Sequence, residues 1–417
     1  MMLILFIQVG PMLSVSRRPA TSFGSHRPTG RAAVQLAAAA MAGLSLCLPA
    51  AQTAAQAATT VRPGAASPWH IVPTATLAPD NALSSLAVVG KGLAWAAGVE
   101  GYSSDGATAG GPLILRWNGS HWSRARLPGS WQGGMAAVAA SSASNAWAVG
   151  MNASAMKIAH LLHWNGHGWQ SVALPNIGGS INADVNLAAA PSGRAWISTD
   201  TEAPSTELFT WNGLAWKAQS YPCAHWGCGI FQITARTGTD TWAVGNYVNT
   251  DGSGGPLALH WTGRSWATTA VPFVKFGYLT SVFAASATNA WAVGAVWGSA
   301  TMLLYHWDGT AWHRMRTPAG LTQPFAGESA RITGDGAGHL WIYGFGMTMS
   351  NQASYLRYNG QRWSMTHDAP VAGQNRAIVR GVAVVPGTQA VWSVGVGILS
   401  AAPHGRARIE LYGSLGQ

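Results

Sequence analysis

The residues best able to do chemistry in this chain are few. Cys223 and Cys228 sit five apart in Pro222-Cys-Ala-His-Trp-Gly-Cys-Gly229, and the third cysteine, Cys47, lies far away in an apolar N-terminal stretch. An isolated pair at that spacing reads as a local disulfide made in an oxidising compartment. Closing so short a loop contributes about 2 kcal/mol on the chain-entropy account, and it fixes the shape of His225 and Trp226 between the two sulfurs. Zinc needs a second ligand pair, which this Cys-x4-Cys lacks. His160 and His163 are three apart, so on a strand they point to opposite faces and cannot chelate one ion together. His163, His260 and His306 each precede a tryptophan at one repeated position, which separates them in space. No metal site is expected. Acids number 14 in 417 residues and are scattered, with Asp184 and Glu328 nearest to positions that could converge. No Gly-x-Ser-x-Gly, HExxH or phosphate loop is present. The sequence therefore names no catalytic residue and no cofactor.

The elements that position these groups repeat. Asn145-Ala-Trp-Ala-Val-Gly150 is followed by His163-Trp-Asn-Gly166 and closed by Trp169. The leading tryptophans are Trp95, Trp147, Trp196, Trp242, Trp291, Trp341 and Trp392, at gaps of 52, 49, 46, 49, 50 and 51 residues. A second aromatic follows 15 to 22 residues later: Trp117, Trp164, Trp211, Trp261, Trp307, Tyr358 and Tyr412. Six copies carry a third, Trp122, Trp169, Trp216, Trp266, Trp312 and Trp363, five residues beyond the second. The seventh copy lacks one, and Trp69 stands unclaimed at the other end of the chain.

Each copy reads as four short strands, with Asn-Gly as the hairpin signal before the last. Four strands in each 40 to 50 residues is the spacing of β-propeller blades. The expected fold is an all-β, seven-bladed propeller of four-stranded blades, its last blade closed by the N-terminal strand, which leaves no open sheet edge. The expected boundaries are an export leader at 1–57, a linker at 58–66 and the propeller at 67–417. Within it lie a closing strand at 67–79 and blades near 82–128, 133–175, 180–222, 229–272, 278–318, 329–370 and 376–417.

An apolar strand ending in Val-Gly, a variable loop, an aromatic-bearing strand and a tryptophan at fixed offset resemble the kelch repeat and its galactose oxidase-like relatives. The layout is closer still to repeats of secreted actinobacterial proteins. Two departures stand out: one glycine where kelch repeats pair them, and a shorter aromatic-to-tryptophan spacing. The resemblance implies architecture, not activity. Galactose oxidase chemistry would require a copper site with a cysteine-linked tyrosine, and both cysteines here are committed to each other. A sialidase-type site would require an arginine cluster with Asp-box turns. Arg331, Arg376 and Arg380 lie near first strands, but no Asp-box accompanies them.

Nineteen of the 22 tryptophans occupy repeat positions, so packing between blades accounts for them. The exceptions are Trp131, Trp226 and Trp297. In a propeller, the loops between second and third strands share a face with those entering each first strand, and both sets are long here. Loops are where function collects. The residues there that break the repeat are Trp131, His225, Trp226, Tyr278, Trp297, Phe325, Glu328, Arg331 and Arg376, with Phe276 and Asn375 beside them. Aromatics mixed with arginine, amide and carboxylate suit a sugar or a peptide.

The N-terminus has the composition of an export signal: Arg17, Arg18, Arg27 and Arg31, an alanine-rich apolar run, then Ala55-Gln56-Ala57 as a cleavage site. No later stretch reads as a membrane span, and retention at the cell surface through the leader is the alternative to release. With the four leader arginines removed, 20 Lys and Arg against 14 Asp and Glu leave +6. That charge is not concentrated with interleaved aromatics, which excludes a nucleic-acid partner. The sequence therefore reads as a secreted, monomeric binding module. Its expected partner is a polysaccharide, a cell-wall polymer or another protein. A glycan-cleaving enzyme and a structural envelope protein are the alternatives.

Overall fold

The computed structural model describes residues 68–103, 107–153, 157–177, 185–199, 205–299, 301–318, 330–344 and 351–416. The expected leader and linker, Asp184, Phe325 and Glu328 lie outside them. The described residues form seven four-stranded antiparallel sheets, the blades of a propeller. Blade 1 runs from the strand Asn81–Gly90 to Trp122–Arg124, blade 2 from Met135–Ser142 to Trp169–Val172, and blade 3 from Val185–Ala189 to Trp216–Ala218. Blade 4 runs from Gly227–Thr237 to Trp266–Thr268, blade 5 from Gly277–Ser286 to Trp312–Arg314, and blade 6 from Ala330–Gly334 to Trp363–His367. Blade 7 comprises Gln374–Val384, Val391–Leu399, Gly405–Tyr412 and, as its fourth strand, Trp69–Ile71, which sets Trp69 opposite Tyr412.

The second strand of each blade explains its composition. It is an inner strand with a neighbouring blade on each side, so both of its faces are buried and it reads as a continuous apolar run without alternation. Ala94, Trp95, Ala96 and Ala97 are all completely buried. The tryptophan of this strand inserts into the next blade, between the two aromatics that flank that blade's last hairpin. Trp95 meets Trp164 and Trp169 at 4.9 and 5.1 Å, Trp147 meets Trp211 and Trp216 at 5.1 and 5.2 Å, and Trp242 meets Trp307 and Trp312, both at 5.2 Å. The pattern crosses the chain ends. Trp392 of blade 7 packs on Trp117 and Trp122 of blade 1 at 5.0 and 5.4 Å, and Trp341 of blade 6 meets Tyr412 and Trp69 at 4.7 and 5.8 Å. None of the nineteen repeat tryptophans is exposed. Edge-to-face pairs of this kind add about 0.5–1.5 kcal/mol each beyond the area they bury.

In five blades the residue opposite the second-strand tryptophan on the third strand caps its ring. His163, His260 and His306 lie 4.3, 4.2 and 4.3 Å from Trp147, Trp242 and Trp291. Asn145, Asp240 and Asn289 receive the imidazole Nε2 at 3.0, 2.7 and 3.1 Å. In blades 1 and 6 Arg116 and Arg357 take that place, 5.5 and 5.6 Å over Trp95 and Trp341.

The first strands of blades 1, 2, 4, 5 and 7 are bulged. A bulge turns one extra residue out of register. In blades 1, 4 and 5 polar side chains at the bulge bond the next blade. Ser84 Oγ donates to Met135 O and Thr280 Oγ1 to Ala330 O, both at 2.6 Å. Val138 N donates to Ser85 Oγ and Ile332 N to Ser281 Oγ at 3.1 Å, and Val282 N to Gln232 Oε1 at 2.6 Å. The bulge also explains the glycine ending the Val-Gly motif. A Cβ on Gly294 would stand 1.9 Å from Tyr278 O, and one on Gly245 equally close to Gly229 O.

Candidate functional site

The up-and-down strands put the loops entering each blade and the loops between second and third strands on one face. Among the described residues, the exposed large apolar side chains are Ile71, Leu214, Trp226, Phe273, Phe276, Trp297, Met315 and Met365. All four aromatic ones lie on this face, on loops of blades 4 and 5: 219–226, 269–276 and the turn at Trp297.

The loop entering blade 4 is tied down at its end by the Cys223–Cys228 disulfide, with Cα atoms 6.1 Å apart. Cys228 is buried in the first strand, while Cys223 is half-buried on the loop. Between them Trp226 is 52% exposed. His225 stacks on Tyr247 at 3.8 Å with planes 15° apart, and its Nδ1 lies 2.8 Å from Asn249 Oδ1. Asn249 Nδ2 donates to Ser253 Oγ at 3.0 Å, and Ser253 Oγ donates to Asp251 Oδ1 at 2.6 Å. This chain of polar groups runs along the loop between the second and third strands of blade 4. The side-chain and backbone hydrogen bonds from Ser253 hold the exposed Asp251 carboxyl below the usual range, with the nearby Lys275 charge adding a little.

Phe273 reaches this strip because Gly255 has no side chain: a Cβ there would stand 2.8 Å from the Tyr247 hydroxyl and 3.0 Å from the Phe273 ring. Phe276 adopts φ 59°, the left-handed region that bulky residues avoid. Two backbone bonds hold it there, Phe276 N to Gly254 O at 2.9 Å and Trp297 N to Phe276 O at 3.0 Å. Strain of about 1–3 kcal/mol persists only where surrounding structure imposes it, and it collects at binding sites. Lys275 Nζ lies 5.1 Å over the Phe276 ring. Trp297 rests on the buried Tyr278 at 4.9 Å, and Tyr278 meets Phe231 edge-on at 6.1 Å.

The residues singled out from sequence are thus divided. His225, Trp226, Tyr278 and Trp297 lie on blades 4 and 5, and Tyr278 supports Trp297 from below instead of facing solvent. Trp131 lies on blade 2, half-buried and stacked on His160 at 4.0 Å. Arg331 and Arg376 begin the first strands of blades 6 and 7, and Arg331 Nη1 donates to Ala330 O at 3.1 Å. Tyr247, Asn249, Asp251, Phe273 and Lys275 were not among the residues the sequence picked out. Phe273 follows Pro272 where the other copies place Gly129, Asn176, Cys223, Ala319 and Val371 after their prolines. A position-by-position alignment of the copies would have shown it.

Among the described residues, no three His, Cys, Asp or Glu side chains gather as a metal-binding group. Two carboxylates do converge, Asp368 and Glu410, but in the seam between blades 6 and 7. Arg408 Nη2 donates to Asp368 at 2.9 Å and also to Glu410, and all three are buried. Ala353 N donates to Asp368 Oδ1 at 2.8 Å, and Tyr355 bonds Ser393 at 2.9 Å and Glu410 at 3.5 Å. A substrate cannot reach this pair, so its role is structural.

No family model and no curated protein matches this chain. Among solved structures it is similar to YCF48 from Cyanidioschyzon merolae, at 15% identity and TM-score 0.49 over 84% of this chain and 99% of that one. It is similar to the SapL1 lectin in complex with α-methyl fucoside at 14% identity and TM-score 0.44, over 71% of this chain and 98% of that one. It is also similar to AofleA from Arthrobotrys oligospora at 13% identity and TM-score 0.45, over 73% and 90% of the two chains. These likenesses carry no inference about a ligand or an activity.

Proposed function

We propose that this chain is an exported, kelch-like propeller that binds carbohydrate on the loop face of blades 4 and 5. One observation carries the reading. Every exposed tryptophan and phenylalanine ring among the described residues is on that face, beside the hydrogen-bonded chain His225–Asn249–Ser253–Asp251. A sugar presents an apolar C–H face and a rim of hydroxyls. Exposed rings supply area for the first, and a few fixed amide, hydroxyl and carboxylate groups orient the second. The disulfide agrees with a chain folded outside the reducing cytosol. Secretion, the domain limits at 57 and 67, and a glycan or cell-wall polymer as the partner belong to this proposal.

Cleavage of a glycan is the weaker reading, because glycoside hydrolysis ordinarily uses two carboxylates across one bond. Among the described residues, the loops of blades 4 and 5 on this face supply one, Asp251. The test is a glycan and cell-wall polymer array probed at low and moderate salt. A hit that survives salt and is lost in Trp226→Ala supports the reading. Binding that disappears with salt reports only the +6 charge, and a blank array refutes carbohydrate as the ligand.

A further inference from the structure

Resting on that reading of the face, we infer that the Cys223–Cys228 disulfide is a positioning latch for the binding surface, and that its reduction releases the ligand without unfolding the propeller. The loop is anchored on both sides of the bridge. Tyr221 Oη donates to Thr206 O at 2.8 Å and to Cys228 O at 2.9 Å, and Cys228 N donates to Ser205 Oγ at 3.2 Å. Gly227 pairs with Val248 in the blade 4 sheet. Between these anchors, among the described residues, 222–226 make no backbone–backbone hydrogen bond. Two ties hold the segment in place: the disulfide, and the His225 ring lying on Tyr247 and bonded to Asn249.

The bridge sits at one edge of the blade 3–4 core: Cys228 is a buried member of it, and Cys223 packs against it with Tyr221 and Tyr247. The rest of that seam is packed by Trp196, Trp261, Trp266, Ile230 and Leu259, which stand on the paired strands of blades 3 and 4 and not on the loop. Loss of the bridge therefore frees Trp226 while the sheet stays assembled. Access is asymmetric as well, since Cys223 is half-buried and Cys228 fully buried. A thiolate of an external dithiol attacks the Cys223 sulfur. The S–S bond breaks, its electron pair leaves on Cys228, and that sulfur takes a proton. The second thiolate of the dithiol then resolves the mixed disulfide. Cys223 is released as a thiol, and the reagent is oxidised to its cyclic disulfide.

The experiment uses the full chain in three forms: oxidised, dithiothreitol-treated, and Cys223→Ser. Chymotrypsin cleavage after Trp226, followed by mass spectrometry, reads the latch alone. Retention on immobilised galactose, glucose, mannose and N-acetylglucosamine reads the site. Reduction and Cys223→Ser are expected to speed that cleavage at least tenfold, leave amide exchange in the inner strands of blade 4 slow, and weaken sugar retention about tenfold. Cys223→Ser should then be indifferent to dithiol, and Trp226→Ala should bind equally poorly in both redox states. An unchanged cleavage rate on reduction overturns the latch, whatever the sugars do. Faster cleavage with undiminished retention overturns the link between latch and ligand. Faster cleavage in a chain that binds none of the sugars supports the latch and refutes the carbohydrate reading.

Discussion

Asp368→Asn should stabilise this protein at mildly alkaline pH. The carboxyl is 1% exposed and shares one guanidinium, Arg408, with Glu410, itself 3% exposed. With both acids ionised the seam would hold two negative charges against one positive. The ion pair with Arg408 alone would lower the Asp368 pKa, but burial, the largest influence, and the Glu410 charge outweigh it and push it up to about 8. An unfolded aspartate titrates near 3.9, so between roughly pH 4 and 8 the folded chain holds a proton that the unfolded chain lacks. The sign follows: stability is highest below the unfolded pKa, falls as pH rises through that window, and levels off above the folded pKa. One proton sets the slope at about 1.4 kcal/mol per pH unit. Asparagine reproduces the protonated side chain: Oδ1 still accepts from Ala353 N, Nδ2 donates towards Glu410, and nothing titrates. From about pH 5.5 to 7.5 the wild-type chain should therefore lose about 2–3 kcal/mol relative to Asp368→Asn in paired urea melts. Parallel pH profiles, or a variant less stable at every pH, would refute the argument, because either would mean that Asp368 is ionised in the seam.

Three further outcomes follow from the packing. Trp147→Ala should cost about 3–5 kcal/mol in chemical denaturation, because it empties the cage formed with Trp211, Trp216 and His163, whereas Trp226→Ala should stay within about 0.5 kcal/mol. Ser281→Ala leaves the buried Ile332 N–H without its acceptor and should cost about 1–3 kcal/mol by the same measurement. Phe276→Gly relieves the left-handed φ, so thermal melting should show unchanged or raised stability while sugar binding drops.

The architecture was legible because one physical demand recurs in every copy. An inner strand covered on both faces must be apolar throughout, and one tryptophan per blade must fill the gap to the next. Trp69 could be placed for the same reason, as the aromatic missing from the seventh set. The site was only partly legible. Trp226 and Trp297 broke the repeat and drew notice, but Tyr247 is hidden inside an ordinary apolar strand and Phe273 inside an ordinary proline-containing loop. Tyr278 broke the repeat too, yet it lies beneath Trp297, since sequence gives position along a strand and not which ring covers which. The Asp368–Arg408–Glu410 seam was invisible, because 40 residues separate the aspartate from its arginine and only the ring brings blades 6 and 7 together. The bulge hydroxyls of Ser85 and Ser281 look like any turn serine until the neighbouring blade is in place.

Oxidative footprinting of the full chain with and without a neutral oligosaccharide mixture tests the central claim most directly. The account predicts protection of Trp226, Phe273, Phe276 and Trp297 together, with no protection of Leu214, which is 88% exposed on the opposite face. Protection confined to Trp131 or to the opposite face, or no protection at saturating sugar, would contradict it.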